Sequence, residues 1–281
     1  MRGATKILFL ALALGFPAGS RGLEDEDVDF SLSWKNGILS ISSPKLPSGK
    51  LEILYLEAFC RSGAHHQGWD KTKIPHRTTL LQASADGKRL EFETIVADKV
   101  QVRHDVLAEP DSIRFSYTLK NSGPEAFDVQ WFQPACIRVA EFSGRDQQTY
   151  TGKSFVFAER GLTPLDQLAR TTNALYRGGQ VYLPKNTKPE DANPRPICEN
   201  RITNGLIGCI SADARRILAT ASSSTHELFE GVYVCLHSDP YIGGLAPGEM
   251  KTITSRLYLL PNNPELLLIR YHRDFAGRAS P

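Results

Sequence analysis

Hydrophobic and polar residues alternate along most of this chain, in short runs separated by Gly, Pro, Asn and Asp. A period of two is typical of a β-strand that turns one face to a core and the other to solvent. Many short strands with turn residues between them indicate an all-β fold, here a large antiparallel β-sandwich with one or two short helices. The pattern predicts strands at Phe30–Trp34, Ile38–Ser42, Leu51–Phe59, Leu80–Ala83, Arg89–Ile95, Val100–Val106, Ile113–Leu119, Phe127–Val139, Leu206–Ile210, Ile217–Ala221, Val232–Leu236 and Lys251–Leu259.

Two dipeptides mark where consecutive strands turn back on each other. Asn36-Gly37 lies between the first two predicted strands, and Asp86-Gly87 lies between the strands that begin at Leu80 and Arg89. Both dipeptides favour the positive backbone φ angles of a tight hairpin. The strands on either side of each dipeptide are therefore expected to pair in antiparallel fashion.

Helix signals occur at two places. Thr163-Pro164-Leu165-Asp166 supplies a capping hydroxyl, a Pro at the first helical position and an acid in the first turn, which predicts a helix to about Leu175. Asn263-Pro264-Glu265 is a second helix start, and a short amphipathic helix is expected over Leu266–Phe275.

The segment Gly178–Asn204 has a different character from the strands around it. It is long, polar and rich in proline, with only a brief apolar piece at Val181–Leu183. Loops of this length are uncommon in compact domains, and they tend to cover a functional site or to be mobile. The polar stretch Arg61–Pro75 is likewise expected to be a loop.

The first twenty residues have the pattern of a secretion signal. Arg2 and Lys6 precede the apolar run Ile7–Leu14, and Ala18-Gly19-Ser20 fits the small-x-small pattern of a cleavage site. An uncleaved N-terminal anchor is the alternative interpretation. We therefore expect residues 1–20 to be a signal peptide and residues 21–281 to form a single β-sandwich domain, located in the periplasm or outside the cell.

Charge and hydropathy argue against two classes of partner. The net charge of +2 includes Arg2 and Lys6, so the chain without its leader is neutral. A neutral chain has no electrostatic basis for binding nucleic acid or an anionic membrane surface. No later stretch approaches the roughly 18 consecutive apolar residues that a membrane helix needs. The acidic run Glu24–Asp29 is expected to be a solvated arm.

Five cysteines raise the question of disulfides in an exported chain. Because five is odd, at least one thiol stays unpaired or pairs between chains. Cys136, Cys209 and Cys235 lie in apolar runs, as small buried core residues do. Cys198 and Cys209 flank a turn-like segment and could close a short loop. No Cys-x-x-Cys pair is present, so neither a zinc ribbon nor thioredoxin chemistry has support.

The first candidate site lies in the predicted loop before the strand at Leu80. Imidazoles and a carboxylate close together in sequence could bind zinc or another transition metal. No known ligand spacing is present, so a solvated loop is the favoured interpretation, with no metal and no cofactor. Trp69 could stack on a sugar ring or fill space under its own loop, and His76 is a further candidate for ligand binding. The residues concerned are His65, His66, Trp69, Asp70 and His76.

The second candidate site lies on the aromatic strand. Trp131, Gln133 and Arg138 combine a ring with planar hydrogen-bond donors, which suit sugar hydroxyls or a uronate carboxylate. The alternative is a sheet face whose polar residues are satisfied by their neighbours.

The third candidate site is His237-Ser238-Asp239-Pro240, a polar corner expected where the strand Val232–Leu236 ends. A His two residues from an Asp could form an acid–base pair that works near neutral pH. Turn chemistry is the alternative explanation for the same residues.

Two blocks of the sequence carry a family resemblance. Val-x-Val-x-His at Val100–His104 and Ile-x-Phe-x-Tyr-x-Leu-x-Asn at Ile113–Asn121 lead into the aromatic strand, and Val232–Leu260 contains a Cys-Leu strand, a polar corner and Leu-x-Pro-Gly-Glu. These blocks resemble the galactose mutarotase-like β-supersandwich. The chain as a whole also resembles exported proteins of environmental bacteria, which implies no particular activity.

The resemblance implies a saccharide ligand, but the catalytic residues of the family do not carry over completely. Its acid histidine would fall where this chain has Gln130 and Gln133. Its basic glutamate would fall at the polar corner, where Asp239 could stand in as a shorter carboxylate.

Two functions of different classes follow from these residues. The first is a carbohydrate-binding protein that holds a poly- or oligosaccharide on a concave sheet face with Trp69, Trp131, Gln133 and Arg138. The second is a carbohydrate-active enzyme of the epimerase or lyase type, in which His237 or His76 transfers a proton and Asp239 assists. A structural or partner-binding sandwich is a third alternative. The first two differ in geometry, because a general acid and a general base must reach one substrate position.

Overall fold

The structure is a computed structural model that describes residues 29–275. The expected signal peptide and most of the acidic arm Glu24–Asp29 lie outside the described residues. Among the residues described, none of the helices combines the length and the apolar character that a membrane crossing needs.

Two antiparallel sheets make up the described part of the chain, as the alternating pattern predicts. The first sheet has the strand order β1-β2-β3-β9-β16-β15-β12, and β4 pairs with β3 beside this path. Its strands are β1 (Ser31–Lys35), β2 (Ile38–Ser42), β3 (Lys50–Cys60), β4 (Lys73–Ile74), β9 (Trp131–Arg138), β12 (Gln180–Tyr182), β15 (Thr225–Glu230) and β16 (Cys235–Pro240).

The second sheet has the strand order β11-β10-β13-β14-β17-β8-β7-β6-β5. Its strands are β5 (His76–Ala83), β6 (Arg89–Val96), β7 (Val100–Ala108), β8 (Ser112–Asn121), β10 (Ser154–Ala158), β11 (Gly161–Pro164), β13 (Ile202–Ile210), β14 (Arg216–Ser222) and β17 (Met250–Pro261). The described helices are α1 (Ala64–Gln67), α2 (Trp69–Thr72), α3 (Ala140–Ser143) and α4 (Pro264–Phe275), of which the first three are single turns.

Both predicted hairpins are confirmed. Asn36 and Gly37 have φ angles of 52° and 80°, and Lys35 pairs with Ile38 across the turn. Gly87 has a φ angle of 68°, and the strands that flank it, β5 and β6, pair in antiparallel fashion. Positive φ at these positions matches the right-handed twist of the strands that each turn joins.

The core lies between the facing sheets. Tyr55 and Phe132 of the first sheet contact Phe92 and Tyr117 of the second, with ring centroids 5.4 Å apart for Tyr55 and Phe92 and 5.1 Å apart for Tyr117 and Phe132. All four side chains are buried in one hydrophobic cluster. Burial of large aromatic side chains from both sheets is the main stabilising contribution of such a sandwich.

The C-terminal helix is confirmed and covers the outer face of the second sheet. The Asn263 side chain accepts hydrogen bonds from the backbone N–H groups of Glu265 and Leu266, which caps the start of α4. Leu267 and Tyr271 of this helix are buried against strands β10, β14 and β17 in a second hydrophobic cluster.

The predicted helix that begins at Thr163 is wrong. Residues Gly161–Pro164 form β11, which pairs with β10, and only the 3-10 turn Leu165–Gln167 follows. The Thr163 hydroxyl donates to the Gly161 carbonyl and caps no helix. Pairing with a buried strand outweighs the local helix signals here. The predicted loop Arg61–Pro75 also differs, since it contains α1 and α2.

The predicted strand Val232–Leu236 is wrong as well. Residues 231–234 form the turn between β15 and β16, Val234 has a φ angle of 51°, and Tyr233 is 67% exposed. Three of the five residues of this apolar run, residues 232–234, therefore belong to a turn and not to a strand. His237-Ser238-Asp239-Pro240 consequently lies inside β16 and not at a corner after a strand.

No disulfide joins Cys198 to Cys209. All five cysteines are unpaired and buried. Cys198 lies beside β12 at the edge of the first sheet, where its backbone N–H donates to Val181, whereas Cys209 belongs to β13 of the second sheet. Because the two residues belong to different sheets, the turn between them does not bring their sulfurs together.

Candidate functional site

Polar side chains gather on the face of the first sheet that is turned away from the second sheet. Leu236 of β16 pairs with Ile137 of β9, and both belong to the core between the sheets. Because successive side chains of a strand point to opposite faces, Cys235, His237 and Asp239 lie on the other face.

A cavity of about 260 Å³ lies on this outer face. Its wall is mixed, with aromatic and apolar side chains beside polar groups and two cations. Ligand sites combine these features, because apolar contacts supply affinity and a few polar groups fix orientation. The lining residues used below are Glu57, Trp69, Lys73, Gln133, Cys136, Asn193, Arg195, Gly231, Cys235 and His237.

His237 lies at the centre of the polar groups. Its Nε2 atom is 3.4 Å from Cys235 Sγ, and its Nδ1 atom is 3.8 Å from Asp239 Oδ1 and 3.9 Å from Glu57 Oε2. Burial alone would lower the pKa of His237, but negative charge on Cys235, Asp239 and Glu57 raises it to about 10. The surroundings of this imidazole therefore favour a positive charge.

Asp239 is buried and bonded on one side only. Its Oδ2 atom accepts a hydrogen bond of 3.0 Å from Gln133 Nε2, while its Oδ1 atom has no hydrogen-bond partner among the described residues. Burial raises the pKa of Asp239 to about 7, although His237 and Gln133 act in the opposite direction.

Glu227 of β15 adds a second buried carboxyl group. Its Oε2 atom accepts a hydrogen bond of 2.9 Å from the backbone N–H of Asn193. Burial raises the pKa of Glu227 well above its ordinary value, and the nearby Asp239 adds to the effect. Glu227 and Asp239 are paired across β15 and β16, so the two carboxyl groups disfavour a negative charge on each other.

An aromatic group forms the neighbouring wall. The ring of Trp131 is stacked on His226 at 5.2 Å and lies 6.1 Å from the ring of Trp69. Trp131 is fully buried, whereas Trp69 is half-buried and lines the cavity. Trp69 is therefore the tryptophan with a ring available to a ligand.

The predicted cover Gly178–Asn204 reaches this face. Asp191 accepts a hydrogen bond of 2.7 Å from the backbone N–H of Gly63, and the Asn193 carbonyl lies 3.0 Å from His65 Nδ1. Through these contacts the segment is joined to the short helix α1, and Asn193 lines the cavity. Its mobility stays a prediction.

The structure brings together five of the candidate residues. Trp69, Gln133 and His237 line one cavity, and Trp131 and Asp239 contact them directly.

Two other candidates lie elsewhere. Arg138 places its guanidinium over the Tyr233 ring at 5.2 Å and lines a separate cavity of about 410 Å³. His76 belongs to β5 of the second sheet, and its ring lies 5.3 Å from Phe59.

Sequence reasoning missed Glu57 and Glu227, and it assigned Cys136 and Cys235 to the core alone. The two cysteines are buried as expected, but their sulfurs and a ring nitrogen of His237 all lie within 4.8 Å of one another. The spacing Cys-x-His within a strand was the available signal, since residues two apart share a face.

Comparisons with known proteins concern the fold alone. No protein-family model matches the chain, and no curated protein has a significant match. Similar solved structures include a galactose mutarotase-like protein from Clostridium acetobutylicum, with 9% identity, a TM-score of 0.45, and coverage of 84% of this chain and 99% of that chain. A galactose mutarotase-like protein from Lactobacillus casei has 10% identity, a TM-score of 0.44, and coverage of 82% and 100%.

Proposed function

We propose that this protein is exported and binds a saccharide in the cavity on the outer face of the first sheet. The observation that carries the proposal is a pair of buried polar atoms in the cavity wall that have no hydrogen-bond partner among the described residues, namely Glu57 Oε2 and Asn193 Oδ1. Buried polar atoms in folded proteins nearly always have a partner. The hydroxyl groups of a sugar would supply the missing donors and acceptors.

The rest of the wall suits the same ligand. Trp69 offers a ring face for the apolar side of a sugar, and Gln133 offers a planar amide. Lys73 and Arg195 add two positive charges, which would bind the carboxylate of a uronic acid. At about 260 Å³ the cavity is near the lower limit of ligand sites, roughly 300 Å³, so it suits a single sugar unit or a chain end.

A carbohydrate-active enzyme of the epimerase or lyase type is the second candidate. It is favoured by the position of His237, whose Nδ1 atom lies within 4 Å of carboxylate oxygens of both Asp239 and Glu57. A proton donor and a proton acceptor are thus near one another beside the cavity, as acid–base catalysis requires.

Titration of the protein with neutral and uronic mono- and oligosaccharides, followed by thermal shift and calorimetry, tests the binding proposal. A ligand that binds the folded state raises the apparent melting temperature. Trp69→Ala should weaken binding at least about tenfold because the ring face is lost. Trp34→Ala is the matched control, since Trp34 lies in β1 against Phe92 and does not line the cavity.

Two results would count against the proposal: no saccharide shifts the melting temperature, which excludes binding, or Trp69→Ala binds as tightly as Trp34→Ala and the wild type, which excludes this cavity as the site. The enzyme candidate requires more, namely conversion of the bound sugar. If the protein is an enzyme, nuclear magnetic resonance of the sugar after incubation would show epimerised or unsaturated products. If the sugar binds but is unchanged, the enzyme candidate is excluded and the binding function stands.

Export rests on the leader pattern, in which Arg2 and Lys6 precede an apolar run and a small-x-small site. Mass spectrometry of the secreted protein should find Arg21 as its first residue. A secreted protein that retains Met1 would contradict cleavage.

A further inference from the structure

Three potential metal ligands come from two neighbouring strands of the first sheet. The register of β9 and β16 pairs Cys235 with Arg138 and Leu236 with Ile137, and Cys136 and His237 are the next residues along the two strands. Cys235 and His237 are two residues apart in one strand and therefore share a face. Strand pairing thus brings Cys136 Sγ, Cys235 Sγ and a ring nitrogen of His237 within 4.8 Å of one another, all buried.

The one sulfur-to-nitrogen distance within a single strand matches that of a tetrahedral zinc site, and the other two separations are no longer than 4.8 Å. With Zn–S bonds of about 2.3 Å and Zn–N bonds of about 2.0–2.1 Å, sulfur and nitrogen ligands of one ion lie roughly 3.5 Å apart. The distance from Cys235 Sγ to His237 Nε2 is 3.4 Å. Two cysteines, one histidine and an open fourth position form a known type of zinc site in enzymes. All three residues line the cavity, so the open position would face its interior.

The second nitrogen of His237 provides an independent observation. A histidine that binds a metal through one nitrogen usually donates its other N–H to a carboxylate. His237 Nδ1 points toward Asp239 Oδ1 and Glu57 Oε2, at 3.8 and 3.9 Å. None of these three atoms has a hydrogen-bond partner among residues 29–275. A small movement of the Asp239 side chain, whose Oδ1 is the nearer oxygen, would create the expected N–H to carboxylate bond.

The backbone leaves room beside these ligands. A Cβ atom at position 231 would collide with Cys235 Sγ and lie 3.5 Å from His237 Nε2. Gly231 is therefore the residue that allows the turn before β16 to pass next to the sulfur. A larger residue there would displace the cysteine from its two partners.

We propose that Cys136, Cys235 and His237 bind a transition-metal ion, for which Zn²⁺ fits best, with a fourth position open to the cavity. Thiolate and imidazole ligands select such ions over calcium or magnesium. In this arrangement the ion would bind an oxygen of the cavity's ligand or a water molecule. The proposal assigns His237 to the metal and not to proton transfer, and it holds whether or not the ligand is a saccharide.

A disulfide between Cys136 and Cys235 is the competing arrangement, because exported proteins meet oxidising conditions. Such a bond would remove both sulfur ligands. Titration of thiols in the unfolded, chelator-treated protein separates the two arrangements: the metal site leaves all five cysteines reactive, whereas the disulfide removes two of them.

The test uses the exported protein, purified without chelator, and measures bound metal by mass spectrometry. After chelation, Co²⁺ is added and the sulfur-to-cobalt absorption is recorded. We expect one equivalent of metal and a cobalt spectrum typical of tetrahedral thiolate ligation. Cys136→Ser, Cys235→Ser and His237→Gln should each abolish or strongly weaken this spectrum. Cys209→Ser is the matched control, since Cys209 is also buried but belongs to β13 of the other sheet.

If the variants fail to fold, the presence or absence of the sulfur-to-cobalt absorption in the wild-type protein tests the proposal. The proposal is overturned if Co²⁺ produces no thiolate absorption, if the spectrum survives in Cys136→Ser or Cys235→Ser, or if the two thiols are found in a disulfide. Saccharide binding is measured separately on the same chelated protein, so failure of the metal site and failure of the proposed function are distinguishable.

Discussion

Gln133 of β9 donates a hydrogen bond of 3.0 Å from its side-chain nitrogen to Oδ2 of Asp239 on β16, a residue 106 positions further along the chain. This bond places the second and third candidate sites of the sequence on one face of one sheet. It also leaves the other oxygen, Oδ1, directed toward His237 Nδ1. Asp239 is therefore placed to orient the imidazole, and its substitution tests that role.

Asp239→Asn should lower the metal affinity about tenfold to hundredfold while the number of bound ions stays at one. The amide keeps the shape of the side chain and an acceptor for Gln133, but it removes the negative charge that attracts the imidazole N–H. Competition with a coloured chelator measures the affinity. Asp213→Asn, at a 55% exposed side chain on the surface, is the control. If Asp239→Asn and the wild type bind the metal with equal affinity, then Asp239 does not orient His237 as a metal ligand.

Arg170→Met should destabilise the protein by about 2 kcal/mol, as measured by urea unfolding. The guanidinium of Arg170 makes two hydrogen bonds, of 2.8 and 2.9 Å, to Glu230, whose side chain is only 3% exposed. Without Arg170 the buried carboxylate retains the Tyr182 hydroxyl, at 2.9 Å.

The matched control for this prediction is Arg215→Met. The Arg215 side chain is 84% exposed, and its pair with Asp213 spans 3.8 Å. Exposed pairs contribute little, so the control should change stability by no more than about 0.5 kcal/mol. Equal effects of the two substitutions would mean that the Arg170 pair contributes no more than a surface pair.

The sequence predicts the second sheet better than the first for a physical reason. Strands such as β6, whose burial alternates, have one face toward the core, and their hydrophobic period is visible in the chain. Strands β15 and β16 are buried at every position, so no alternation marks them. Glu227 and Glu230 are buried within β15, and polar residues at these positions interrupt the apolar pattern, so no strand is predicted there.

The candidate site was predictable only in part. Gln133, His237 and Asp239 carry chemistry that can be recognised residue by residue. Glu57 and Cys136 reach the cavity because β3 pairs with β9 and β9 with β16, over long separations in sequence. A single sequence does not contain that register, so the cluster of Cys136 with Cys235 and His237 is visible in the structure alone.

Limited trypsin digestion should cut first at Lys185. This exposed residue lies in the polar, proline-rich cover, between β12 and the 3-10 turn Pro189–Asp191. Segments without ladder hydrogen bonds open more easily than strands within a sheet. Mass spectrometry of the first fragments identifies the cut. A first cut at Lys120 of β8 or Arg216 of β14 would contradict this prediction.

Acid should destabilise the protein through His104, which is buried in the core. Its Nδ1 atom is 2.8 Å from the Tyr55 hydroxyl, and its Nε2 atom is 2.9 Å from the Thr94 hydroxyl. Burial lowers the pKa of His104 to about 3, so the folded state holds the neutral ring at ordinary pH. In the unfolded chain the pKa returns to about 6.5.

The sign of the effect follows from these two pKa values. Between about pH 6.5 and pH 3 His104 is protonated in the unfolded state but not in the folded state. The free energy of unfolding therefore falls as the pH falls. Above about pH 6.5 neither state is protonated, and the contribution of His104 does not change with pH. From pH 7 to pH 5 the loss attributable to this residue is about 2 kcal/mol.

His104→Gln isolates this contribution, because an amide can bond to both hydroxyls and does not titrate. Whatever its stability at neutral pH, the variant should lose about 2 kcal/mol less than the wild type between pH 7 and pH 5, as measured by urea unfolding. His272→Gln, on the exposed side of α4, should keep the pH dependence of the wild type. If His104→Gln and the wild type respond to acid in parallel, then His104 is protonated in the folded protein and the core must admit the charge.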